Sequence, residues 1–234
     1  MAAERFLLMA VAAVVVAAGG GGAAEFAYDG FRGAGLSLDG MAAVTPAGLL
    51  LLTNDTNMAS SQQNDTAMSK GHAFHPVPVR FRRAAPGAGG AAGGEVPSFS
   101  TTFVFAIVSE FLDLSTSGFA FLVAPTTDLS TAMPQQYLGL FNGTDNGDPR
   151  NRVFAVELDT VRNPEFADIN NNHVGVDVNS LNSSAAAPAG YYDDADGAFR
   201  NLSLISREPM QVWVDYDAAT AAAPAEEAAP VHER

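Results

Sequence analysis

Stretches of apolar residues about as long as β-strands recur along the chain and alternate with turn-rich segments. Some alternate apolar and polar positions, whereas others, such as FVFAIV within residues 99–108, are apolar throughout. None shows a convincing helical period. Many short strands joined by Gly-rich and Asn-rich connections predict an all-β fold, an antiparallel β-sandwich. The predicted strands are residues 48–53, 99–108, 118–124, 136–141, 152–159, 173–178, 200–206 and 211–216.

One predicted strand, residues 152–159 (RVFAVELD), carries two acids in an otherwise apolar run. Side chains alternate along a strand, so Glu157 and Asp159 lie on the same face. Two buried carboxylates on one face repel each other, and burying either unpaired costs several kcal/mol. The pair therefore needs a cation, an arginine, solvent or a catalytic role.

Composition narrows these choices. The chain has 234 residues, 47% of them hydrophobic, which is enough for one domain with a sizeable core. Its formal net charge of −14 argues against nucleic acid or an anionic membrane as a partner. The same acidic balance fits bound divalent cations.

Residues 1–24 have the pattern of a secretory signal peptide: Arg5 precedes an apolar run, and small residues follow up to Ala24. The run is shorter than the roughly 20 residues that cross a bilayer, so we expect a secreted protein, membrane-bound only if this segment is not cleaved. No later stretch is a candidate membrane span. Cysteine is absent, so the fold must be held without disulfides, by core packing and by any bound metal. Candidate N-glycosylation sequons begin at Asn54, Asn64, Asn142, Asn182 and Asn201.

Little in the sequence suggests nucleophilic catalysis. There are four histidines and no G-x-S-x-G motif, and we interpret His72 and His75 as structural. Glycosidases of the β-sandwich type carry a strand motif with a third acid, but Arg162 stands at that position here. A solvated strand face is the simplest alternative for the acid pair.

A metal site is the remaining interpretation of the acid pair. The residues after the strand add Asn163, Asp168 and His173, separated by a loop too polar to be core. Oxygen ligands suit calcium, whereas adding an imidazole suits a transition ion such as manganese. The spacing excludes an EF-hand.

Three segments, VFAVELDT, NPEFADINNNHVGVDVNS and QVWVDYD, resemble the legume-lectin domain, in particular that of plant L-type lectin-domain receptor kinases. The resemblance covers roughly residues 26–217 and implies a concanavalin-like β-sandwich, or jelly roll, with no enzymatic activity. It also implies two cation sites. By resemblance, the manganese ligands are Glu157, Asp159, Asp168 and His173, and the calcium ligands are Asp159, Asn163, Asp168 and the Val161 carbonyl.

The same resemblance implies a carbohydrate-binding face, from which this sequence departs in part. Asn163 matches the family's sugar-binding asparagine. Ser117 stands at the position of an aspartate, Gln136 at that of a glycine and Val161 at that of a stacking aromatic. We therefore expect binding of simple monosaccharides to be weak or lost, with a glycan or a small hydrophobic ligand as the partner.

The C-terminal end also differs from the family, which continues with further strands and, in receptor kinases, with a membrane span and a kinase. We expect residues 25–217 to form a partial lectin domain, incomplete at the C-terminus, and residues 218–234 to be a disordered tail. Exposed sheet edges would then promote self-association. Two functions follow: an extracellular lectin-like binding domain at the cell surface or in the apoplast, or a non-binding receptor-kinase fragment. A glycoside hydrolase ranks third.

Overall fold

The computed structural model describes residues 4–8, 12–15, 25–54, 70–79, 98–109 and 117–218. These residues contain strands and short 3-10 helices, and within them no helix is long and apolar enough to cross a membrane. The strands are β1 Glu4–Leu8, β2 Ala12–Val15, β3 Glu25–Tyr28, β4 Ser37–Gly40, β5 Ala43–Val44, β6 Leu50–Asn54, β7 Gly71–Phe74, β8 Phe99–Ser109, β9 Gly118–Val123, β10 Phe154–Asp159, β11 His173–Val178, β12 Ala185–Pro188, β13 Gly190–Tyr192, β14 Phe199–Asn201 and β15 Met210–Tyr216. The 3-10 helices are Gln135–Tyr137, Pro149–Asn151 and Pro164–Phe166.

Two antiparallel sheets build the sandwich. A seven-stranded sheet has the order β3-β2-β8-β1-β6-β5, with β15 also paired to β8, and a four-stranded sheet has the order β12-β11-β10-β9. The core contains Phe103 and Phe105 from β8, with Phe119 from β9 and Leu158 from β10. The rings of Phe105 and Phe119 meet edge to face with centroids 4.9 Å apart, a favourable geometry for aromatic rings.

Strand β10 is buried on both faces. Its odd-numbered side carries Ala155, which packs with Phe141 and Phe166 in a second, smaller cluster. Its even-numbered side carries Val156 and Leu158, which belong to the main core. The alternation predicted from the sequence is therefore correct, and it places Glu157 and Asp159 on the same side as the smaller cluster.

Two predicted strands differ from the structure. Residues 136–141 do not form a strand, because Gln135, Leu138 and Gly139 adopt positive φ and the chain turns after a 3-10 helix. The predicted strand 200–206 overlaps the structure only at residues 200–201, the end of β14, and turns follow. Eight strands lie outside the predicted set, namely β1 to β5, β7, β12 and β13. Of these, β1 and β2 fall within the predicted signal peptide, and the other six are only two to four residues long.

The ends of the chain meet in the larger sheet. Strands β1 and β2 pair along one edge of β8, and β15 pairs along the other. Asp217 accepts a hydrogen bond from the Ser98 hydroxyl at 3.2 Å, and the Ala218 amide donates to that hydroxyl at 3.0 Å. Cleavage of residues 1–24 stays a prediction, and most of the predicted disordered tail, residues 219–234, lies outside the described residues.

Candidate metal centre and carbohydrate-binding face

The pairing of β10 with β11 brings the predicted acidic residues together with the predicted histidine. Asp159 lies opposite His173, and Glu157 lies opposite Gly175. The side chains of Glu157 and His173 are each only 1% exposed. Candidate ligand atoms of Glu157, Asp168 and His173 all lie within 4.8 Å of one another, and we call these three residues the acidic cluster.

Gly175 makes room for the acidic cluster. A Cβ at this position would lie 2.4 Å from Glu157 Oε1 and 2.3 Å from Ser183 Oγ, closer than real Cβ contacts. The sequence HVGVDV therefore places a glycine where the strand passes directly over the Glu157 carboxylate.

The loop of residues 160–172, which we call the metal loop, connects β10 to β11. Asp168 Oδ2 accepts a 2.5 Å hydrogen bond from the Asn163 amide, which closes the turn around the 3-10 helix Pro164–Phe166. Asp159 Oδ1 similarly accepts from the Val161 amide at 2.6 Å. Asn163 Oδ1 is buried without a hydrogen-bond partner.

At this end of β10, burial makes the ionised form of the carboxyl groups unfavourable when no ion is bound. Burial, together with a smaller effect of the neighbouring Glu157 carboxylate, raises the pKa of Asp159 to about 7. Burial is also the main cause of the raised pKa of Asp168. Burial lowers the pKa of His173, but the surrounding carboxylates outweigh this effect and raise it overall. His173 Nε2 lies 3.3 Å from Glu157 Oε1 without a hydrogen bond, and neither ring nitrogen has a partner.

The structure adds two residues that sequence reasoning missed, Asp177 and Ser183. The Ser183 hydroxyl lies 2.7 Å from Glu157 Oε1 and 2.8 Å from Asp177 Oδ1, so it joins two buried carboxyl groups. Burial raises the pKa of Asp177 to about 8, and its Oδ2 has no partner. The alternation of β11 could have identified Asp177, because it shares a face with His173 and Gly175.

The predicted carbohydrate-binding residues surround the metal loop. The Thr160 amide donates to the Ser117 carbonyl at 3.1 Å, so Ser117 lies against the start of this loop. Val161 is half-buried within the loop. Gln136 is half-buried in the 3-10 helix Gln135–Tyr137, and the ring of the adjacent Tyr137 lies 5.4 Å from that of Phe166.

The two other histidines singled out in the sequence lie outside the acidic cluster. His72 is buried and contacts Asp39 and the Gly139 carbonyl. The ring of His75 stacks on that of Phe26 with centroids 3.7 Å apart. Both sets of contacts fit a structural role.

Comparison with known proteins identifies the class to which this sandwich and its acidic loop belong. The legume lectin domain model matches residues 23–223, so the chain belongs to the legume lectin domain family. It is 53% identical over 196 residues to the L-type lectin-domain containing receptor kinase SIT1 of Oryza sativa subsp. japonica, covering 84% of this chain and 27% of that protein. It is 50% identical over 198 residues to receptor kinase IV.1 of Arabidopsis thaliana, with the same coverage. The chain thus spans about a quarter of the length of these relatives.

Solved structures show the same fold. A basic winged bean lectin with Tn-antigen superimposes with a TM-score of 0.59 and 28% identity, covering 79% of this chain and 65% of that chain. Peanut lectin with a 9-residue peptide gives a TM-score of 0.59 and 26% identity, covering 80% and 67%. These matches confirm the concanavalin-like β-sandwich. Legume lectin domains bind carbohydrate and are not catalytic, so family membership also confirms that this domain is not an enzyme and excludes the glycosidase alternative.

Proposed function

We propose that this chain is an extracellular carbohydrate-binding domain whose binding face is set by calcium and a transition ion such as manganese. The observation that carries the proposal is the acidic cluster: three candidate ligand groups converge within 4.8 Å, deep in the protein. Two carboxylates and an imidazole suit a transition ion. Bound cations would neutralise this charge, for which the nearest cationic group is the imidazole of His173, 3.3 Å from Glu157.

The polar atoms left without partners fit two ligand sets. Glu157, Asp159, Asp168 and His173 would hold the transition ion, and the orphaned His173 nitrogens supply the imidazole ligand that such a site requires. Asp159, Asn163, Asp168 and the Val161 carbonyl would hold calcium, which takes carboxylate, amide and main-chain oxygens. Asn163 Oδ1 is an oxygen of this kind, buried and unpartnered.

Asn163 links the ion site to the ligand. An amide whose oxygen is held by calcium has its NH₂ group fixed, so Nδ2 of Asn163 can donate to a sugar hydroxyl. Asp168 fixes the backbone of Asn163 as well, because its Oδ2 accepts a hydrogen bond from the Asn163 main-chain amide. The ions supply charge neutralisation and rigidity, while the protein side chains make the contacts with sugar.

The other binding positions favour weak binding of monosaccharides. Ser117 offers a hydroxyl in place of a carboxylate, and losing a charge-assisted hydrogen bond costs about 1 to 2 kcal/mol. Val161 provides less stacking area than an aromatic ring. A larger glycan, or a small hydrophobic ligand, would compensate through contacts beyond these positions.

Extracellular location is part of the same proposal. The candidate sequons Asn182 and Asn201 are exposed, as glycosylation requires. Asn142 is half-buried, and its Nδ2 donates to Asp145 at 2.8 Å and to the Thr131 carbonyl at 3.2 Å. We therefore expect Asn182 and Asn201 to be modified more completely than Asn142.

The decisive experiment measures metal and glycan binding on the same preparation. We expect calcium and a transition ion by elemental analysis, and a fall in melting temperature in EDTA, since a hundredfold excess of ion over its dissociation constant stabilises by about 2.7 kcal/mol. Glycan-array binding should disappear with chelator and in Asn163→Ala, but not in Asn171→Ala, which removes an exposed asparagine of the same loop. Unchanged melting in EDTA with no bound metal would refute the metal site. Metal binding without any glycan signal would favour the non-binding alternative.

A further inference from the structure

Lys70, the only lysine in the chain, lies immediately before β7 and points into a neighbouring loop. Its ammonium group donates to the carbonyl oxygens of Leu129 at 2.9 Å, Ser130 at 2.9 Å and Ala132 at 2.6 Å. An ammonium has three donors, so all of them are used on a single turn of the loop. The Lys70 ammonium is therefore surrounded by three carbonyl oxygens, much as a bound metal ion would be.

His72, which lies in β7 two residues after Lys70, contacts the other end of this loop. Its Nε2 lies 2.9 Å from the Gly139 carbonyl oxygen, which can only accept, and its Nδ1 lies 3.1 Å from Asp39 Oδ2. Gly139 has φ of 71°, and a Cβ there would lie 2.8 Å from His72 Nε2. The glycine therefore allows the backbone to approach the imidazole. Together, Lys70 and His72 hold both ends of residues 129–139, which we call the 129–139 loop.

The 129–139 loop is also closed internally and contacts the metal loop. The Met133 amide donates to the Phe141 carbonyl at 2.7 Å, and the Gly139 amide donates to the Met133 carbonyl at 2.9 Å. Between these bonds lies Tyr137, whose ring is 5.4 Å from that of Phe166. Phe166 is buried in the turn between Asn163 and Asp168. A continuous set of contacts thus connects the Lys70 ammonium to the candidate calcium ligands.

We propose that Lys70 and His72 are positioning residues for the binding face, because they fix the loop that holds Tyr137 against Phe166 and presents Gln136. This inference rests on the proposed function. Neither residue contacts the acidic cluster directly, so both act through the 129–139 loop. The consequence is a calcium affinity that depends on a lysine outside the ion site.

The test compares Lys70→Met, which removes all three donors, with Lys70→Arg, which retains the charge and several donors. The matched control is Arg150→Met, which removes a cation whose side chain is 89% exposed. In Lys70→Met we expect hydrogen exchange at the Met133 and Gly139 amides to accelerate about tenfold while β10 and β11 stay protected. We expect its calcium dissociation constant, measured by competition with a fluorescent chelator, to rise about threefold to tenfold. Lys70→Arg should recover most of both effects, and Arg150→Met should show neither.

A second variant separates positioning from a general loss of stability. His72→Gln retains a donor for the Gly139 carbonyl but loses the contact with Asp39, so we expect a smaller change in the same two measurements. Unchanged exchange in Lys70→Met would overturn the proposal. Faster exchange with unchanged calcium affinity would overturn the positioning role and leave a local structural one. A wild-type protein that binds no calcium would overturn the proposed function and the positioning role together, whereas the exchange data would still establish whether Lys70 holds the loop.

Discussion

Two neighbouring loops of this domain have opposite electrostatic arrangements. In the 129–139 loop the chain provides its own cation, and the three donors of Lys70 are matched by three carbonyl oxygens. In the acidic cluster beside the metal loop the chain provides two carboxylates and an imidazole, and neither nitrogen of this buried imidazole has a hydrogen-bond partner. The first arrangement needs no added ion, whereas under the proposed function the second would be completed by ions from solution.

The pKa shifts follow the same division. Beside Lys70 and His72, a hydrogen bond from His72 lowers the pKa of Asp39, despite a small opposing effect of burial. Around the acidic cluster, burial raises the pKa values of Asp159 and Asp177 to about 7 and about 8. Carboxylates with a cation nearby ionise more readily, whereas buried carboxylates without one hold their protons. We therefore expect one region whose stability depends on metal beside one whose stability does not.

The largest expected effect comes from a substitution that disrupts the acidic cluster. Gly175→Ala would place a methyl group 2.4 Å from Glu157 Oε1. We expect loss of transition-ion binding and destabilisation of about 1 to 3 kcal/mol from overpacking, in addition to the lost metal contribution. Elemental analysis and chemical unfolding measure the two parts.

Gly143→Ala is the matched control, because its added Cβ would meet only the end of the Tyr137 side chain at 3.3 Å. It should retain the metal. Full metal occupancy in Gly175→Ala would contradict the assignment of Glu157 as a ligand.

The second prediction concerns pH in the presence of EDTA. The folded pKa values of Asp159 and Asp177 lie well above their ordinary value of 3.8, so the folded state binds more protons than the unfolded state. The stability of the metal-free protein should be greatest at low pH within this range, and it should be lost as the pH rises through about 7 to 8. With calcium and manganese present this loss should shrink or reverse, since metal ligands must be deprotonated. Unfolding free energies between pH 5 and 8 provide the measurement, and a metal-free stability that rises across this range would contradict it.

The third prediction breaks the contact between the two loops. Tyr137→Leu keeps an apolar side chain but removes the ring that lies 5.4 Å from Phe166. We expect an interaction energy of about 0.5 to 1.5 kcal/mol in a double-mutant cycle with Phe166→Leu. Additive unfolding energies would show that the rings are adjacent without being coupled.

The smallest expected effect concerns Asp39, which contacts His72 beside the 129–139 loop. Because the folded pKa of Asp39 is lowered, its contribution is present above its ordinary value of 3.8 and is lost as the pH falls through the folded value. Asp39→Asn should remove this acid-side loss and leave stability at neutral pH nearly unchanged, since half of the Asp39 side chain is exposed. Acid unfolding curves measure the effect, and a large change at pH 7 would contradict it.

The proximity of Glu157, Asp168 and His173 could be predicted because the information for it is local, whereas their binding of metal stays a prediction. Glu157, Asp159, Asn163, Asp168 and His173 lie within one strand, loop and strand, where alternation and spacing determine which side chains converge. The apolar runs that became β8, β10, β11 and β15 were equally informative, because period and length separate a buried strand from a turn.

Long-range contacts could not be predicted in this way. Nothing near Lys70 in the sequence indicates that its partners lie about 60 residues further along the chain. Residues 136–141 resembled a strand because the sequence shows a short apolar run there. The positive φ of Leu138 and Gly139, which prevents a strand, depends on tertiary contacts. Asp177 is a different case, because the alternation of β11 places it on the face of His173, and only its hydrogen-bond partner Ser183 and the contact of Ser183 with Glu157 required the structure.

The pairing of β8 with β15 also determines when this domain can finish folding during its synthesis. The Thr102 hydroxyl donates to the Val212 carbonyl, 110 residues further along the chain. A ribosome adds roughly 5 to 20 residues each second, so β8 emerges roughly 5 to 20 seconds before the strand that covers one of its edges. During that interval the aromatic face of β8 is incompletely buried, which is the condition under which nascent chains depend on chaperones. The time needed to reach the last strand, rather than the strength of any single contact, therefore limits how early the core can close.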